Sequence, residues 1–134
     1  MTPRQLGDAI GGLYCEGMKD LAALLDAAAD PAQLTVDVEA LKASVVDRLV
    51  ALGHQRETLD PSDRQAVDMA TQFAVRRVDM AAFQAMSKAC NTYRMSHNAL
   101  SNLLASFNVI HQYAAFELLE QQLPEEAARL GVGT

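Results

Sequence analysis

Apolar residues in the first half of the chain recur at steps of three and four, which is the spacing of one face of an α-helix. One series lies within residues 3–29 and the next within residues 32–58. They are Leu6, Ile10, Leu13, Gly17, Leu21, Leu24 and Ala28, followed by Leu34, Val38, Leu41, Val45, Leu49 and Leu52. These patterns predict two amphipathic helices, each with its apolar face in the core.

The first three predicted helix starts carry the same local signal, a residue that can cap a helix followed directly by proline. The pairs are Thr2-Pro3, Asp30-Pro31 and Asp60-Pro61. Proline suits the first helical position because its missing N–H would have no partner there, and a Thr or Asp oxygen accepts from the exposed amides of the first turn. Gln5 is placed to complete a capping box with Thr2.

The third predicted helix, residues 61–90, is apolar on two faces. A stripe of small residues contains Val67, Ala70, Ala74, Val78, Ala81 and Ala85. A bulky stripe on nearly the opposite side contains Met69, Phe73, Met80 and Phe83. A helix of this kind is expected either at the centre of its fold or between the core and a partner. Asp79 leaves open a fresh helix start within this range.

The fourth predicted helix, residues 97–123, contains most of a stretch without any Asp, Glu, Lys or Arg, which runs from residue 95 to residue 116. A break is expected near 91–96. The run is too rich in His, Asn, Ser and Gln for a lipid-facing helix, so we expect protein to shield it. The residues that fill its apolar arc are Leu100, Leu103, Leu104, Phe107, Ile110, Ala114 and Leu118.

Together these elements predict an all-α fold, a single-domain antiparallel bundle of about four principal helices. A chain of 134 residues is long enough for one core. Residues 124–134 are expected to form a loosely ordered tail.

Gly7 and Gly11 lie four residues apart in the first predicted helix, where glycine lowers helix propensity by about 1 kcal/mol relative to alanine. The absence of a side chain lets another backbone approach closely. We therefore expect a second helix to pack against these positions, and a ligand held against the backbone is the alternative.

The charge of the chain argues against nucleic-acid and membrane partners. Its 17 acidic and 11 basic residues give a formal charge of −6, which repels phosphate backbones and anionic lipids on average. Cys15 and Cys90 lack the paired spacing of a zinc site and are too few for a disulfide framework. We expect buried thiols and a cytoplasmic location.

The residues that could bind a small molecule are His97 and His111, with Tyr93, Asn98 and Asn108 to orient it. On one continuous helix the two histidines would lie about 21 Å apart, so they could not share a metal ion. The Glu-x-x-His pairs of carboxylate-bridged metal bundles do not occur. No catalytic residue, metal or cofactor is predicted, since no set of nucleophile, base and orienting residue is recognisable.

Two functions remain open at this point. The first is a non-enzymatic interaction module that self-associates as a homodimer through its third and fourth helices, as an adaptor or chaperone for another protein. Its expected interface consists of Met69, Phe73, Met80, Phe83, Asn102, Ser106 and Tyr113. The alternative is a small-molecule binder or an unrecognised enzyme with a pocket near His97 and His111.

Overall fold

The computed structural model describes residues 1–27 and 29–133. Ala28 and Thr134, which the sequence places in the first helix and in the tail, lie outside the described residues. The regular structure of the described part is entirely helical, which confirms the predicted all-α class. It consists of α1 (Pro3–Asp26), α2 (Pro31–Glu57), α3 (Pro61–Val75), α4 (Met80–Tyr93), α5 (Asn98–Ala105), a 3₁₀ segment (Ser106–Ala114), α6 (Phe116–Gln122) and α7 (Pro124–Leu130).

The caps predicted from the sequence form as expected. The Thr2 side chain accepts from the backbone N–H of Gln5, and the Gln5 side-chain oxygen accepts from the backbone N–H of Thr2. Asp30 and Asp60 cap α2 and α3, and proline follows each of them. The predicted starts of the first three helices are therefore confirmed.

The third and fourth predicted helices are each divided. Residues 61–90 form α3 and the larger part of α4, because the chain turns after Val75 and the Asp79 side chain caps a new helix by accepting from the N–H of Ala81 and Ala82. Residues 97–123 form α5, the 3₁₀ segment and α6. Their backbone leaves helical geometry at Val109 (φ −123°, ψ 18°) and Ala115 (φ −123°, ψ 87°).

The break at Ala115 changes which residues face the core. Leu100, Leu104 and Phe107 are buried as predicted, but Leu118 is exposed. Its neighbour Leu119 is buried instead, because the non-helical backbone at Ala115 resets the angular position of every residue that follows. A continuous helical wheel therefore does not hold beyond the departures from helical geometry at Val109 and Ala115.

The expected loose tail differs from the structure, in which Pro124–Leu130 forms α7. Ala127 and Val132 are both buried, and Gly131 ends the helix with a left-handed backbone (φ 68°) that glycine adopts without strain. Hydrophobic burial therefore holds this segment against the rest of the molecule.

The centre of the fold is α1, which packs against α2, α3, α4 and the 3₁₀ segment. Its contact with α3 is the most extensive. A Cβ atom added to Gly7 would overlap the Ala70 side chain and lie 2.5 Å from the carbonyl oxygen of Val67, and one added to Gly11 would overlap Ala74. The predicted close approach of a second helix to these glycines is confirmed.

Candidate functional site

The outer surface of α3 is apolar and exposed. Val67 and Ala74, from the small-residue stripe, are buried on the side that faces α1. Met69 and Phe73, from the bulky stripe, are 58% and 59% exposed, and Met80 at the start of α4 is 59% exposed. We call Met69 and Phe73 the α3 patch. The packing against α1 thus leaves large apolar side chains in water.

Charged groups border the α3 patch. The Arg76 guanidinium lies 5.3 Å from the centroid of the Phe73 ring, within the range of a cation–π contact. A groove of about 530 Å³ beside Met69 and Phe73 is lined by Arg4, Asp8 and Arg77 among others. The patch therefore combines apolar anchors with both signs of charge. Phe83, the fourth residue of the bulky stripe, is half-buried against the core.

The stretch without charged residues, 95–116, is only partly shielded by protein. Asn102 is exposed on α5, and its side-chain N–H donates to the Asn98 side-chain oxygen at 3.2 Å. Ser106 is half-buried and donates to the Leu103 carbonyl at 2.6 Å. Met95 is almost fully exposed. The expectation that protein shields the whole run is wrong for this chain by itself, because the outer side of α5 faces water.

Tyr113 does not belong to a surface. Its side chain is 2% exposed, and its hydroxyl donates to Glu126 Oε1 of α7 at 2.6 Å. A helical wheel for residues 97–123 places Tyr113 on the outer side, because the wheel treats these residues as one continuous helix. The 3₁₀ segment and α7 together enclose it, so Tyr113 is removed from the predicted interface.

The residues predicted to form a ligand pocket are not gathered in one place. The rings of Tyr93 and His97 meet edge to face with centroids 5.8 Å apart, and His97 Nδ1 lies 3.0 Å from the Ser96 hydroxyl. His97, Asn98 and Asn108 are exposed. Tyr93 lines a groove of about 630 Å³ beside α1 and α4, whereas His111 lines a different cavity.

The cavity at His111 has a volume of about 420 Å³. Four parts of the chain supply its walls, namely α1, α2, α3 and the region around the break at Ala115. Its polar lining residues are Arg56, Asp68, Thr71, Gln72, His111, Gln112, Glu117 and Gln121. Ile10, Ala114, Ala115 and Leu118 supply apolar surface. We call this space the His111 cavity.

Arg56 is the charged centre of the cavity wall. Its side chain is 7% exposed, and it donates from Nε and Nη2 to the two oxygens of Asp68, each at 2.9 Å. Its Nη1 donates to Glu117 Oε2 at 2.7 Å. Burial by itself would lower the pKa of Arg56, but its hydrogen bonds to Asp68 and Glu117 outweigh burial and raise it. A buried cation is thus satisfied by carboxylates from two other helices.

The carboxylates beside Arg56 remain half exposed. Glu117 also accepts from Arg64 Nη1 at 3.2 Å. Burial would raise the pKa of Glu117, but a backbone hydrogen bond and the two arginines lower it below its usual value. Glu117 therefore stays negatively charged near neutral pH.

His111 is the one histidine whose ring packs into the interior. Its ring meets that of Tyr14 edge to face with centroids 5.4 Å apart, and burial lowers its pKa below the ordinary value. Its Nδ1 is buried and has no hydrogen-bond partner in the described structure. The imidazole is consequently neutral near pH 7, and one of its polar atoms is unsatisfied.

The sequence reasoning missed Arg56, Asp68 and Glu117. A signal for Arg56 was present, since the apolar series Val45, Leu49 and Leu52 continues at a step of four to residue 56. A charge in that position predicts a buried ion that needs partners. No comparable signal marks Asp68 or Glu117, because the sequence pattern predicts that both lie on solvent-exposed helix faces.

The comparisons place no further constraint on the site, since the chain has no significant match to a protein-family model, a curated protein or a solved structure. None of the helices formed by residues 1–27 and 29–133 is long and apolar enough to cross a bilayer. The same residues hold no group of three or more His, Cys, Asp or Glu side chains that could bind a metal ion.

Proposed function

We propose that this protein is a non-enzymatic interaction module that forms a homodimer through the α3 patch. The exposure of Met69 and Phe73 one helical turn apart carries the proposal. Large apolar side chains grouped on one helix face are a feature of protein interfaces, where aromatic and methionine side chains are enriched and provide much of the binding energy.

A second copy of the chain is the occupant that fits this surface best. A two-fold axis would bring the patch of one copy against that of the other. The groove beside the patch contains Arg4, Arg77 and Asp8, groups of both signs that two copies related by this axis can pair with one another. A stable dimer needs at least about 1,000 Å² of buried surface. The exposed side of α5 with Asn102 and Ser106 offers uncharged area that could extend it.

The wider role that we propose is that of an adaptor or chaperone that holds another protein in its dimeric form. We place it in a reducing cytoplasm, and the unpaired state of Cys15 and Cys90 is compatible with that location.

The experiment is the solution mass by light scattering over a concentration series at neutral pH. We expect a mass near twice the 14.5 kDa of one chain. Phe73→Glu would place a charge in the dry centre of the interface, so the dissociation constant should rise at least about tenfold. A mass of one chain at every concentration would refute self-association.

Val36→Glu is the matched control, because Val36 of α2 is 60% exposed but lies outside the α3 patch. Its dimer should dissociate like that of the wild type. Asn102→Glu tests whether α5 belongs to the same interface. A dimer that Phe73→Glu leaves intact would show that a surface other than the α3 patch holds the copies together.

A further inference from the structure

Of the three lysines in the chain, only Lys42 is partly withdrawn from water. Lys19 and Lys88 are exposed, whereas Lys42 of α2 is half-buried. Its Nζ lies 6.0 Å from the centroid of the Tyr113 ring, at the outer limit of a cation–π contact. No ion pair joins Lys42 to a carboxylate of the described residues. Its ammonium group is thus partly desolvated without a direct counter-ion.

The acidic group that acts on Lys42, Glu126 of α7, is already bonded to other side chains. Glu126 Oε1 accepts from the Tyr113 hydroxyl at 2.6 Å and from Arg129 Nη2 at 3.1 Å, and Oε2 accepts from Arg129 Nε at 2.7 Å. Burial lowers the pKa of Lys42, Glu126 raises it in part, and Arg129 lowers it again, so that the net direction is downward. Near neutral pH, Lys42 therefore carries more of the neutral, nucleophilic amine than an ordinary solvated lysine does.

A cavity of about 220 Å³ lies beside this amine, and we call it the Lys42 cavity. Its lining residues come from α2, α5 and α7, and they are Glu39, Lys42, Ala43, Val46, Leu103, Glu126 and Arg129. The two cations and two carboxylates among them cancel, so the lining favours neither an anion nor a cation. The remaining three residues are apolar. The space therefore suits a small uncharged group that is attached at the lysine end.

We propose that Lys42 is an acylation site, at which the side-chain amine takes a short acyl group from a thioester. The amine nitrogen attacks the thioester carbonyl carbon, the C–N bond forms and the C–S bond breaks. The thiolate leaves with the bonding electron pair, and the proton of the nitrogen passes to water. The acyl chain then lies against Ala43, Val46 and Leu103. This inference does not depend on self-association through the α3 patch.

The product explains why this lysine is suited to the reaction. Acylation replaces a half-buried ammonium group by a neutral amide, so the desolvation cost of the charge is removed. At Lys19 and Lys88 the same reaction removes a charge that water already solvates. The fold thus favours acylation at Lys42 both through the free amine that it maintains and through the amide that it accommodates.

The test treats the full chain with N,S-diacetylcysteamine, an uncharged acetyl thioester. Mass spectrometry of proteolytic peptides then gives the acetylation rate at each lysine. Lys19 and Lys88 are internal controls, because both are exposed. At about pH 7.5 we expect Lys42 to react at least about threefold faster than either control. This advantage should disappear in concentrated urea, where the surroundings of Lys42 are lost.

The pH dependence of the rate separates protonation of the amine from access of the reagent. The rate rises with pH and levels off above the pKa of the amine. Burial lowers the pKa of Lys42, so its rate should level off at a lower pH than the rates of Lys19 and Lys88. Glu126, with a pKa of about 2, and Tyr113 and Arg129, with raised pKa values, keep one charge state between about pH 6 and 9. The profile therefore reports the amine itself.

Two matched variants test whether the Lys42 cavity holds the acyl group. Ala43→Leu fills the cavity from an exposed position of α2 and should lower the rate at Lys42 at least about threefold. Ala40→Leu is the control, because Ala40 is exposed on the same helix and outside the cavity lining. Its rate at Lys42 should equal that of the wild type. Circular dichroism verifies that both variants are folded.

The proposal is overturned if Lys42 reacts no faster than Lys19 and Lys88 near neutral pH, or if the three rates level off at the same pH. It is also overturned if Ala43→Leu reacts at Lys42 like the wild type, because the acyl group would then lie outside the cavity. A preference for Lys42 that persists in concentrated urea would assign the reactivity to the local sequence and overturn the role of the fold.

Discussion

The absence of a side chain at Gly7 and Gly11 sets the distance between α1 and α3. Backbone and side-chain atoms of α3 occupy the space where a Cβ atom would lie at either residue. The loss of helix propensity is offset by closer packing along the most extensive helix pair in the fold. The pattern of glycines in the sequence was sufficient to predict a close approach, although it could not name α3 as the partner.

Gly11→Ala should therefore destabilise the protein by about 1–3 kcal/mol, because the new methyl group forces α1 and α3 apart. Gly12→Ala is the matched control. Among the described residues, no atom beyond the adjacent backbone of α1 itself lies within 4 Å of a Cβ at Gly12, so alanine should add up to about 1 kcal/mol of stability through helix propensity. Urea unfolding of both variants measures the difference. Equal effects of the two substitutions would mean that the α1–α3 contact tolerates an added methyl group.

Arg56 and His111 show that the sequence can predict the burial of a residue but not its partners in space. The period of α2 places Arg56 on the buried face, so its burial could have been predicted. Its partners could not, because Asp68 and Glu117 come from separate helices whose relative positions depend on tertiary packing. His111 was singled out from the sequence, but its neighbours in space are different from those predicted.

At the scale of whole elements, helix starts were more predictable than helix breaks. The starts at Pro3, Pro31 and Pro61 rest on local hydrogen bonds that the sequence encodes within a few residues. The break at Ala115 has neither a proline nor a glycine beside it. The break follows from packing of the 3₁₀ segment and α6 against distant parts of the chain. A helical wheel describes one helix alone, so it carries no information about such packing.

A hydrogen bond from the Tyr113 hydroxyl to Glu126 links the 3₁₀ segment to α7. Bonds from Arg129 and Tyr113 hold the pKa of Glu126 at about 2, well below its ordinary value of 4.5. A carboxyl group whose pKa falls on folding stabilises the fold above its unfolded pKa. That stability is lost as the pH falls from about 4.5 toward 2.

Tyr113→Phe should raise the pKa of Glu126 and reduce stability at pH 7 by about 1 kcal/mol. The difference from the wild type should shrink as the pH falls toward and below about 2, because the carboxylate becomes protonated in the wild type only in that range. Urea unfolding against pH and NMR titration of the Glu126 carboxyl give the two readouts. Tyr93→Phe is the control, since its hydroxyl makes no hydrogen bond recorded among the described residues. An unchanged titration of Glu126 in Tyr113→Phe would contradict the assignment.

At the scale of the whole molecule, Arg56 joins α2 to the next helix, α3, and to α6, whose Glu117 lies 61 residues further along the chain. Its bonds to Asp68 and Glu117 connect α2 with α3 and α6. The surface pair Arg48–Glu16 spans α2 and α1, but the two charges are 3.9 Å apart and mostly exposed. The two arginines of the same helix thus offer a direct comparison of a buried ion pair with a solvated one.

Arg56→Met should cost about 2 kcal/mol of stability. Charge-assisted hydrogen bonds contribute about 1.5–3 kcal/mol when buried, and the half-exposed carboxylates regain part of that from water. Arg48→Met should change the free energy of unfolding by less than about 0.5 kcal/mol. Urea unfolding of both variants provides the measurement. If Arg56→Met matched Arg48→Met, the buried cation would contribute nothing net to the fold.

The central position of α1 also determines how the molecule opens. Its chief partner, α3, follows much later in the chain, and the bond from Thr71 to the Gly7 carbonyl closes a separation of 64 residues. Because α1 also contacts α2, α4 and the 3₁₀ segment, it cannot detach without disrupting most of the core. Its buried amide protons should exchange with deuterium only through global unfolding, whereas those of α7 should exchange through smaller openings. During synthesis, α1 therefore cannot complete its native packing until α3, α4 and the 3₁₀ segment have also left the ribosome.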